Sequence, residues 1–264
     1  MKARAARILS TGGPEVIEWA EVELPEPGPG EVRMRSTAVG LNFIDTYHRS
    51  GLYPVELPSG LGLEAAGVVD AVAPDVADFA PGDRVATFGP LRGAYATARN
   101  IPAAMLFRLP DGIGDEVAAA ALLKACTTEF LVERCARVEA GWPVLVHAAA
   151  GGVGLLLVQW LKAIGAHVIG SVGAPEKAAL ARAAGADEVV LADEPLPARI
   201  HEFTAGAGDR ADRAPRPSSR HPTQPRRRAA LCGGHCRHIR ATDPGGRPTA
   251  GSRGGVPPAI SRRL

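Results

Sequence analysis

The chain has 264 residues, of which 46% are hydrophobic, so it is long enough to form two domains with substantial cores. Its net charge of +2 hides an asymmetry, because residues 208–264 hold 13 arginines and three aspartates, whereas residues 1–207 hold 17 basic and 25 acidic residues. Four cysteines are too few for a disulfide scaffold, and no apolar run is long enough for a signal peptide or a membrane span, so we expect a cytoplasmic protein without a membrane partner.

The first part of the chain predicts short β-strands separated by turns. Valine-rich runs at Val16–Val22, Glu31–Val39, Ala65–Ala73 and Arg84–Thr87 alternate with segments rich in glycine and proline. Regular short strands with this punctuation favour a β-rich, barrel-like domain, which we place at residues 1–122.

From Asp115 onwards the pattern changes to helices that alternate with short buried strands. The predicted helices are Asp115–Lys124, Thr127–Val138, Gly151–Ile164 and Glu176–Ala184, and the predicted strands are Pro143–His147, His167–Gly170 and Glu188–Leu191. Such alternation indicates right-handed βαβ crossovers and a parallel sheet. We therefore predict an α/β domain over residues 123–206.

The turn between the first of these strands and its helix carries a dinucleotide-binding pattern. Ala149, Gly151 and Gly154 stand at the three glycine positions of G-x-G-x-x-G. Gly151 lets the backbone approach a pyrophosphate, Gly154 lets the helix pack close to the strand, and the first amides of the helix face the phosphates. We predict cofactor contacts at Gly151, Gly152 and Val153; the alternative is a packing turn that binds no nucleotide.

The end of the second strand favours NADPH over NADH as the cofactor. NAD enzymes commonly place an acidic residue there to hold the ribose 2′-hydroxyl, but this sequence reads Gly170-Ser-Val-Gly173. Ser171, Gly173 and Lys177 are therefore predicted to contact the cofactor near an added 2′-phosphate. An ordinary solvated helix lysine is the alternative for Lys177, and Glu176 beside it weakens the electrostatic case.

Residues 207–264 break this alternation. They are rich in arginine, proline and glycine and have few aliphatic runs, so they cannot bury enough apolar area to offset the entropy of ordering. We predict a disordered tail and hypothesise that the reading frame shifts there, which leaves the α/β domain incomplete. RNA binding through the basic tail is a competing interpretation, but no aromatic residue interleaves with the arginines to stack bases, so we do not expect a nucleic-acid partner.

Four stretches, in the same order, resemble the zinc-free quinone oxidoreductase (zeta-crystallin-like) family of the medium-chain dehydrogenase/reductase superfamily. They are Gly12–Val16, Gly40–Pro54, Pro58–Gly67 and His147–Gly154, and the resemblance spans roughly residues 1–205. It implies an α/β fold in which a GroES-like β-rich domain is joined to a Rossmann domain. It also implies hydride transfer from NADPH to a small-molecule quinone or activated alkene and, for a complete fold, a homodimer.

The same resemblance implies particular site residues. The segment that lines the nicotinamide side of the cleft consists of Asn42, Phe43, Ile44, Asp45 and Thr46. Thr127 is a further expected cofactor contact, and Asn42, Tyr47 and Tyr53 are the expected substrate pocket. An aromatic body with a hydroxyl tip suits a flat quinone, although core packing is the alternative for both tyrosines.

We predict no bound metal. Zinc-dependent relatives carry cysteine and a His–Glu pair where Asn42 and Leu63-Glu64 stand here, and tetrahedral zinc needs nitrogen or sulfur ligands that these residues do not supply. No residue is a clear general acid, so the catalytic residues stay unassigned. The competing interpretation of function is a catalytically inactive chain that at most binds a nucleotide.

Overall fold

In the computed structural model of the protein, residues 1–200, 202–203 and 229–232 are described. Eight strands and one helix form the first part. The strands are β1 (Lys2–Ile8), β2 (Ile17–Glu23), β3 (Glu31–Gly40), β4 (Ser59–Gly60), β5 (Glu64–Val72), β6 (Arg84–Phe88), β7 (Ala98–Pro102) and β8 (Phe107–Arg108), and the helix is α1 (Phe43–Ser50).

These strands form two antiparallel sheets, one with the order β2-β1-β4 and one with the order β7-β3-β5-β6-β8. Val32, Met34, Val69, Val85 and Ile101, all from strands of the second sheet, are almost completely buried and form the centre of one core. Valines of three of the predicted runs thus lie in the core of a β-rich domain, whereas the run at Val16–Val22 has no buried residue.

Helix α1 was not predicted as a helix from the sequence. It is only eight residues long, and the residues that it buries are Asp45 and His48, so it offers too few apolar repeats to be recognised. The Asp45 carboxylate accepts a hydrogen bond from the backbone N–H of Asn42 at 2.9 Å, which satisfies one donor at the helix start. Gly51 ends the helix with a φ of 80°, in the left-handed region that favours glycine.

Helix α2 (Asp115–Glu129) leads from the first domain into the second and continues through Phe130–Ala136 in π-helical turns. The sequence predicted two helices here, whereas the structure has one continuous path that ends at Arg137, which has a φ of 50°. The hydroxyls of Thr127 and Thr128 donate to the carbonyls of Leu123 and Lys124, four residues earlier. Such bonds let a polar side chain sit inside a helix without breaking it.

The second domain contains the predicted βαβ units. Its elements are β9 (Pro143–His147), α3 (Gly152–Ile164), β10 (His167–Val172), α4 (Pro175–Ala183) and β11 (Glu188–Leu191). β10 pairs in parallel with both β9 and β11, and the helices cover a core that includes Val144, Val146, Leu157, Leu161 and Val168. The predicted parallel sheet is therefore confirmed.

One segment of the tail corrects the prediction of disorder. Residues Ala229–Cys232 form strand β12, which pairs in parallel with β9, so the sheet has the order β11-β10-β9-β12. The physical reason is that an unpaired β9 would leave its N–H and C=O groups without partners, and a short apolar run can satisfy them. The rest of the predicted disordered tail lies outside the described residues, and so does the segment to which the hypothesis of a shifted reading frame applies.

Among the helices that the structure describes, none is long and apolar enough to cross a membrane.

Candidate functional site

The glycine turn joins β9 to α3 and presents an uncapped helix end. Ala148 adopts a φ of 51°, and the N–H of Gly151 donates to the Ala148 carbonyl at 2.8 Å, which closes the turn. The first hydrogen bond of the helix runs from Leu155 N–H to the Gly151 carbonyl, and no side chain caps this end. The backbone amides of residues 152–154 are therefore left for a ligand, and the helix dipole favours an anion there.

The third glycine of the pattern is required by packing. A Cβ on Gly154 would overlap the Ala148 carbonyl oxygen and lie 2.9 Å from backbone carbons of Ala149. Gly151 has more room, because a Cβ there would lie 3.1 Å from the same oxygen. The sequence-based role of Gly154, close approach of helix and strand, thus has a direct structural basis.

The carboxyl end of β10 lies at the same edge of the parallel sheet as the glycine turn. The Ser171 carbonyl accepts the Ala149 N–H at 3.0 Å, which fastens the turn to β10. The Ser171 residue is buried, whereas Gly173 and Lys177 are exposed and open space surrounds Gly173. Of the three predicted 2′-phosphate contacts, Gly173 and Lys177 are accessible to a ligand, and Ser171 is mostly enclosed.

In the first domain, Asp45 is occupied by internal contacts. Its carboxylate accepts hydrogen bonds from the Asn42 backbone at 2.9 Å and from the Tyr95 hydroxyl at 2.5 Å. Burial, followed by the bond to Asp45, raises the pKa of Tyr95 well above its ordinary value. Asp45 therefore stabilises the start of α1, and its predicted contact with the cofactor stays a prediction.

The neighbours of Asn42 are exposed apolar side chains. Phe43 is 74% exposed, as is Leu41, while Ile44 and Thr46 are half-buried. The Thr46 hydroxyl donates to the Phe43 carbonyl at 2.7 Å. An apolar surface of this kind beside a polar amide is typical of a site that receives a flat, partly apolar ligand.

The aromatic side chains of the predicted substrate pocket do lie together. The Tyr47 ring centroid is 5.2 Å from that of Phe43 and 5.4 Å from that of Tyr53. His48, which the sequence analysis did not select, lies 6.1 Å from Tyr53, is buried, and has no hydrogen-bond partner at Nδ1. Burial and then the charge of Arg92 lower the pKa of His48.

A polar cluster links this segment to the glycine turn. Glu64 is completely buried, and its carboxylate accepts hydrogen bonds from Asn42 Nδ2 at 2.8 Å, Leu123 N–H at 2.7 Å and Lys124 Nζ at 3.4 Å. The stem of Lys124 lies beside the turn, since a Cβ on Gly152 would be 3.0 Å from Lys124 Cδ and Cε. Asn42, Glu64, Lys124 and Gly152 therefore form one connected group, which we term the junction cluster.

The roles of Glu64 and Lys124 were not predicted from the sequence. A carboxylate inside the apolar run Leu61–Gly67 was an available signal, because a charged residue in a buried strand must be paired. Thr127, a predicted cofactor contact, lies one helical turn after Lys124, and its hydroxyl donates to the Leu123 carbonyl at 2.7 Å. Whether it also accepts a bond from the cofactor stays a prediction.

Comparisons with known proteins agree with this architecture. Residues 28–111 match the family described as Alcohol dehydrogenase GroES-like domain, and residues 152–214 match that described as Zinc-binding dehydrogenase. A quinone oxidoreductase from Pseudomonas aeruginosa is 50% identical over 207 residues, which are 77% of this chain and 63% of that protein. The chain belongs to the quinone oxidoreductase family of the medium-chain dehydrogenase/reductase superfamily.

Two further relatives are informative. The crystal structure of Escherichia coli quinone oxidoreductase in complex with NADPH aligns with a TM-score of 0.75 at 43% identity and covers 77% of this chain and 63% of that chain. A 2-haloacrylate reductase from a Burkholderia species is 43% identical over 211 residues, or 77% of this chain and 63% of that protein. The chain thus spans less than two thirds of these relatives. The resemblance drawn from sequence motifs is confirmed, as is the fold of a GroES-like and a Rossmann domain, while the exact domain boundaries stay a prediction.

Proposed function

We propose that this chain binds NADPH at the edge of the parallel sheet and supports reduction of a quinone or another activated alkene without a metal ion. The observation that carries the proposal is the uncapped start of α3 over the glycine turn, with exposed Gly173 and Lys177 at the neighbouring strand end. A relative of the same family is solved with NADPH. Two others are named for the reduction of quinones and of 2-haloacrylate.

The residues of this chain fit the parts of such a cofactor. The amides of residues 152–154 are suited to the pyrophosphate, and the ammonium group of Lys177 is suited to a 2′-phosphate. Asn42 and Phe43 offer an amide and an exposed ring to the nicotinamide. Bound NADPH supplies a hydride, and the chain contributes by holding donor and acceptor in contact in a cleft shielded from water.

The residues at the zinc-ligand positions do not fit a metal ion. Asn42 donates to Glu64, Leu63 is a buried apolar residue, and Glu64 already accepts three hydrogen bonds. The ammonium of Lys124, 3.4 Å from the Glu64 carboxylate, would repel a divalent cation. This charge arrangement supports the zinc-independent form of the reaction.

The proposal is tested by measuring binding and turnover separately. Purified chain is titrated with NADPH and with NADH by nucleotide fluorescence, and quinone-dependent loss of NADPH absorbance is followed with and without prior chelator treatment. We expect saturable binding that favours NADPH, and oxidation that the chelator does not change. Absence of binding contradicts the proposed site, whereas binding without turnover leaves only the nucleotide-binding part of the proposal standing.

A further inference from the structure

The orientation of the Asn42 side chain follows from the chemistry of its partner. Glu64 Oε2 lies 2.8 Å from Asn42 Nδ2, and Lys124 Nζ lies 3.4 Å from the same oxygen. An ionised carboxylate can only accept hydrogen bonds, so the atom that faces it must be the amide nitrogen of Asn42. The opposite rotamer would place two oxygen acceptors against each other in a buried site.

This orientation leaves the amide oxygen of Asn42 without a bond to Glu64. Asn42 is half-buried beside the exposed side chains of Leu41 and Phe43. An amide oxygen has two acceptor sites, and the backbone N–H of Asp45 at the start of α1 takes at most one of them, so the other is left for a donor on the ligand. Under the proposed function, the carboxamide N–H of the nicotinamide is the donor of matching chemistry.

The contacts of Glu64 show why its carboxylate cannot reorient. It is 0% exposed, and its other oxygen accepts the backbone N–H of Leu123 at 2.7 Å. Gly40 leaves the space for it, because a Cβ there would overlap the Ala119 carbonyl and lie 2.5 Å from Glu64 Oε2. A carboxylate held on two sides in this way transmits a fixed geometry to Asn42.

We propose that Glu64 is a positioning residue that holds Asn42 as a hydrogen-bond acceptor for the carboxamide of bound NADPH. This inference rests on the proposed function for the identity of the ligand. Lys124 completes the arrangement, because its Nζ neutralises Glu64 while its stem contacts the turn at Gly152. The groups proposed for the nicotinamide and for the pyrophosphate are thereby both connected to the same buried carboxylate.

The test uses two ligands that share the adenosine with its 2′- and 5′-phosphates, only one of which carries the nicotinamide riboside and its phosphate. Wild-type chain and the variants Glu64→Gln, Asn42→Ala and the double variant are titrated with NADPH and with 2′,5′-ADP, which lacks the nicotinamide. Glutamine has one acceptor oxygen in place of two, so its amide nitrogen faces either the Leu123 N–H or the Asn42 and Lys124 donors. Either placement removes the fixed carboxylate that orients the Asn42 amide. We expect Glu64→Gln and Asn42→Ala each to weaken NADPH binding about fivefold or more, with little change for 2′,5′-ADP.

The double variant separates positioning from general structural damage. If Glu64 acts through Asn42, adding Glu64→Gln to Asn42→Ala causes no further loss of NADPH affinity. Glu21→Gln, at an exposed position on β2, is the matched control and should leave both affinities unchanged. The side-chain amide signal of Asn42 in a nitrogen–proton NMR spectrum, assigned by its absence in Asn42→Ala, should move in Glu64→Gln even without ligand.

The outcomes are distinct. Equal weakening of both ligands by Glu64→Gln, additive losses in the double variant, or an unmoved Asn42 amide signal would overturn the positioning role. If wild-type chain binds 2′,5′-ADP but Glu64→Gln does not change the affinity for NADPH, the proposed nucleotide site is supported and the positioning role of Glu64 is refuted. If wild-type chain binds neither ligand, the proposed function fails, and the carboxamide is lost as the partner of Asn42. Should Glu64→Gln not fold, Asn42→Ala alone must still discriminate between the two ligands.

Discussion

Two substitutions by alanine in the same turn should have opposite consequences. Alanine favours a helix over glycine by about 1 kcal/mol. Both Gly152→Ala and Gly154→Ala would therefore stabilise α3 if there were room for the added methyl group. At Gly154 there is no room, because the new Cβ would overlap the Ala148 carbonyl oxygen and lie 2.9 Å from backbone carbons of Ala149. Backbone cannot move aside as a side chain can, and overpacking of this kind costs about 3 kcal/mol.

At position 152 the neighbour is flexible. The Cβ would lie 3.0 Å from Cδ and Cε of Lys124, and a lysine stem can shift by a few tenths of an ångström at little cost. We therefore expect Gly154→Ala to lower the free energy of unfolding by about 2 kcal/mol and the melting temperature by roughly 4–8 °C. Gly152→Ala should melt within about 2 °C of wild type but bind NADPH more weakly, because its methyl group displaces the Lys124 stem beside the amides proposed for the pyrophosphate.

The assay is thermal unfolding followed by circular dichroism, with NADPH titration of each variant at a temperature where it is folded. Gly112→Ala is a control at a glycine with nothing within 4 Å of the new Cβ, and it should change neither quantity. Equal melting temperatures for Gly154→Ala and Gly152→Ala would refute the steric argument. Unchanged NADPH affinity in Gly152→Ala would refute the placement of the pyrophosphate.

Three further predictions concern charged side chains. Lys177→Ala should weaken NADPH binding about tenfold and leave NADH binding unchanged, as compared by fluorescence titration with Arg182→Ala at the far end of α4; an equal effect on both nucleotides would argue against a 2′-phosphate contact. Hydrogen bonds from Thr37 and Arg84 hold the pKa of Asp115 below its ordinary value, so its contribution to stability is complete above about pH 4 and disappears as the pH falls through the folded-state pKa. Asp115→Asn should therefore reduce the fall in melting temperature between pH 4 and lower pH. An unchanged fall would contradict this prediction. Burial lowers the pKa of Arg99 to about 10, and the Nε of its guanidinium has no hydrogen-bond partner. Arg99→Met should therefore raise the melting temperature by a few degrees. A lower melting temperature would show that the protein stabilises the buried charge.

The parts of the fold that the sequence predicts are those governed by local pattern. Valine-rich runs between glycine and proline turns give β3, β5 and β6, and apolar runs with helical spacing give α3 and α4, because each pattern is recognisable within one stretch of sequence. Helix α1 was not predicted, because its eight residues provide too few repeats of an apolar pattern. Strand β12 was not predicted for another reason. Its four residues form a strand because β9 offers an unpaired edge, and that edge is a property of the sheet and not of the local sequence.

The candidate site divides in the same way. The glycine turn is contiguous in sequence, so the chemical reason for each of its glycines can be read directly. The junction cluster is assembled from Asn42, Glu64 and Lys124, and the Glu64–Lys124 pair is separated by 60 positions. No periodicity relates such residues; only the docking of α2 against β3 and β5 brings them together. A buried acidic residue in the sequence indicates that it has a hydrogen-bond or charged partner, but it does not identify that partner.

The identity of that partner bears on the chemistry proposed for the chain. A metal ion at the junction would polarise a substrate carbonyl as a Lewis acid. Here the cationic partner of Glu64 is Lys124, whose ammonium also donates to the Ala120 carbonyl at 2.8 Å and is thereby committed to the protein. Under the proposed function, the substrate must therefore accept a hydride without metal activation, and its own electron-withdrawing groups must supply the electrophilicity. Quinones and alkenes conjugated to a carbonyl or carboxylate meet this requirement, whereas simple ketones do not. The same charge arrangement that disfavours zinc thus narrows the expected substrates to intrinsically activated acceptors.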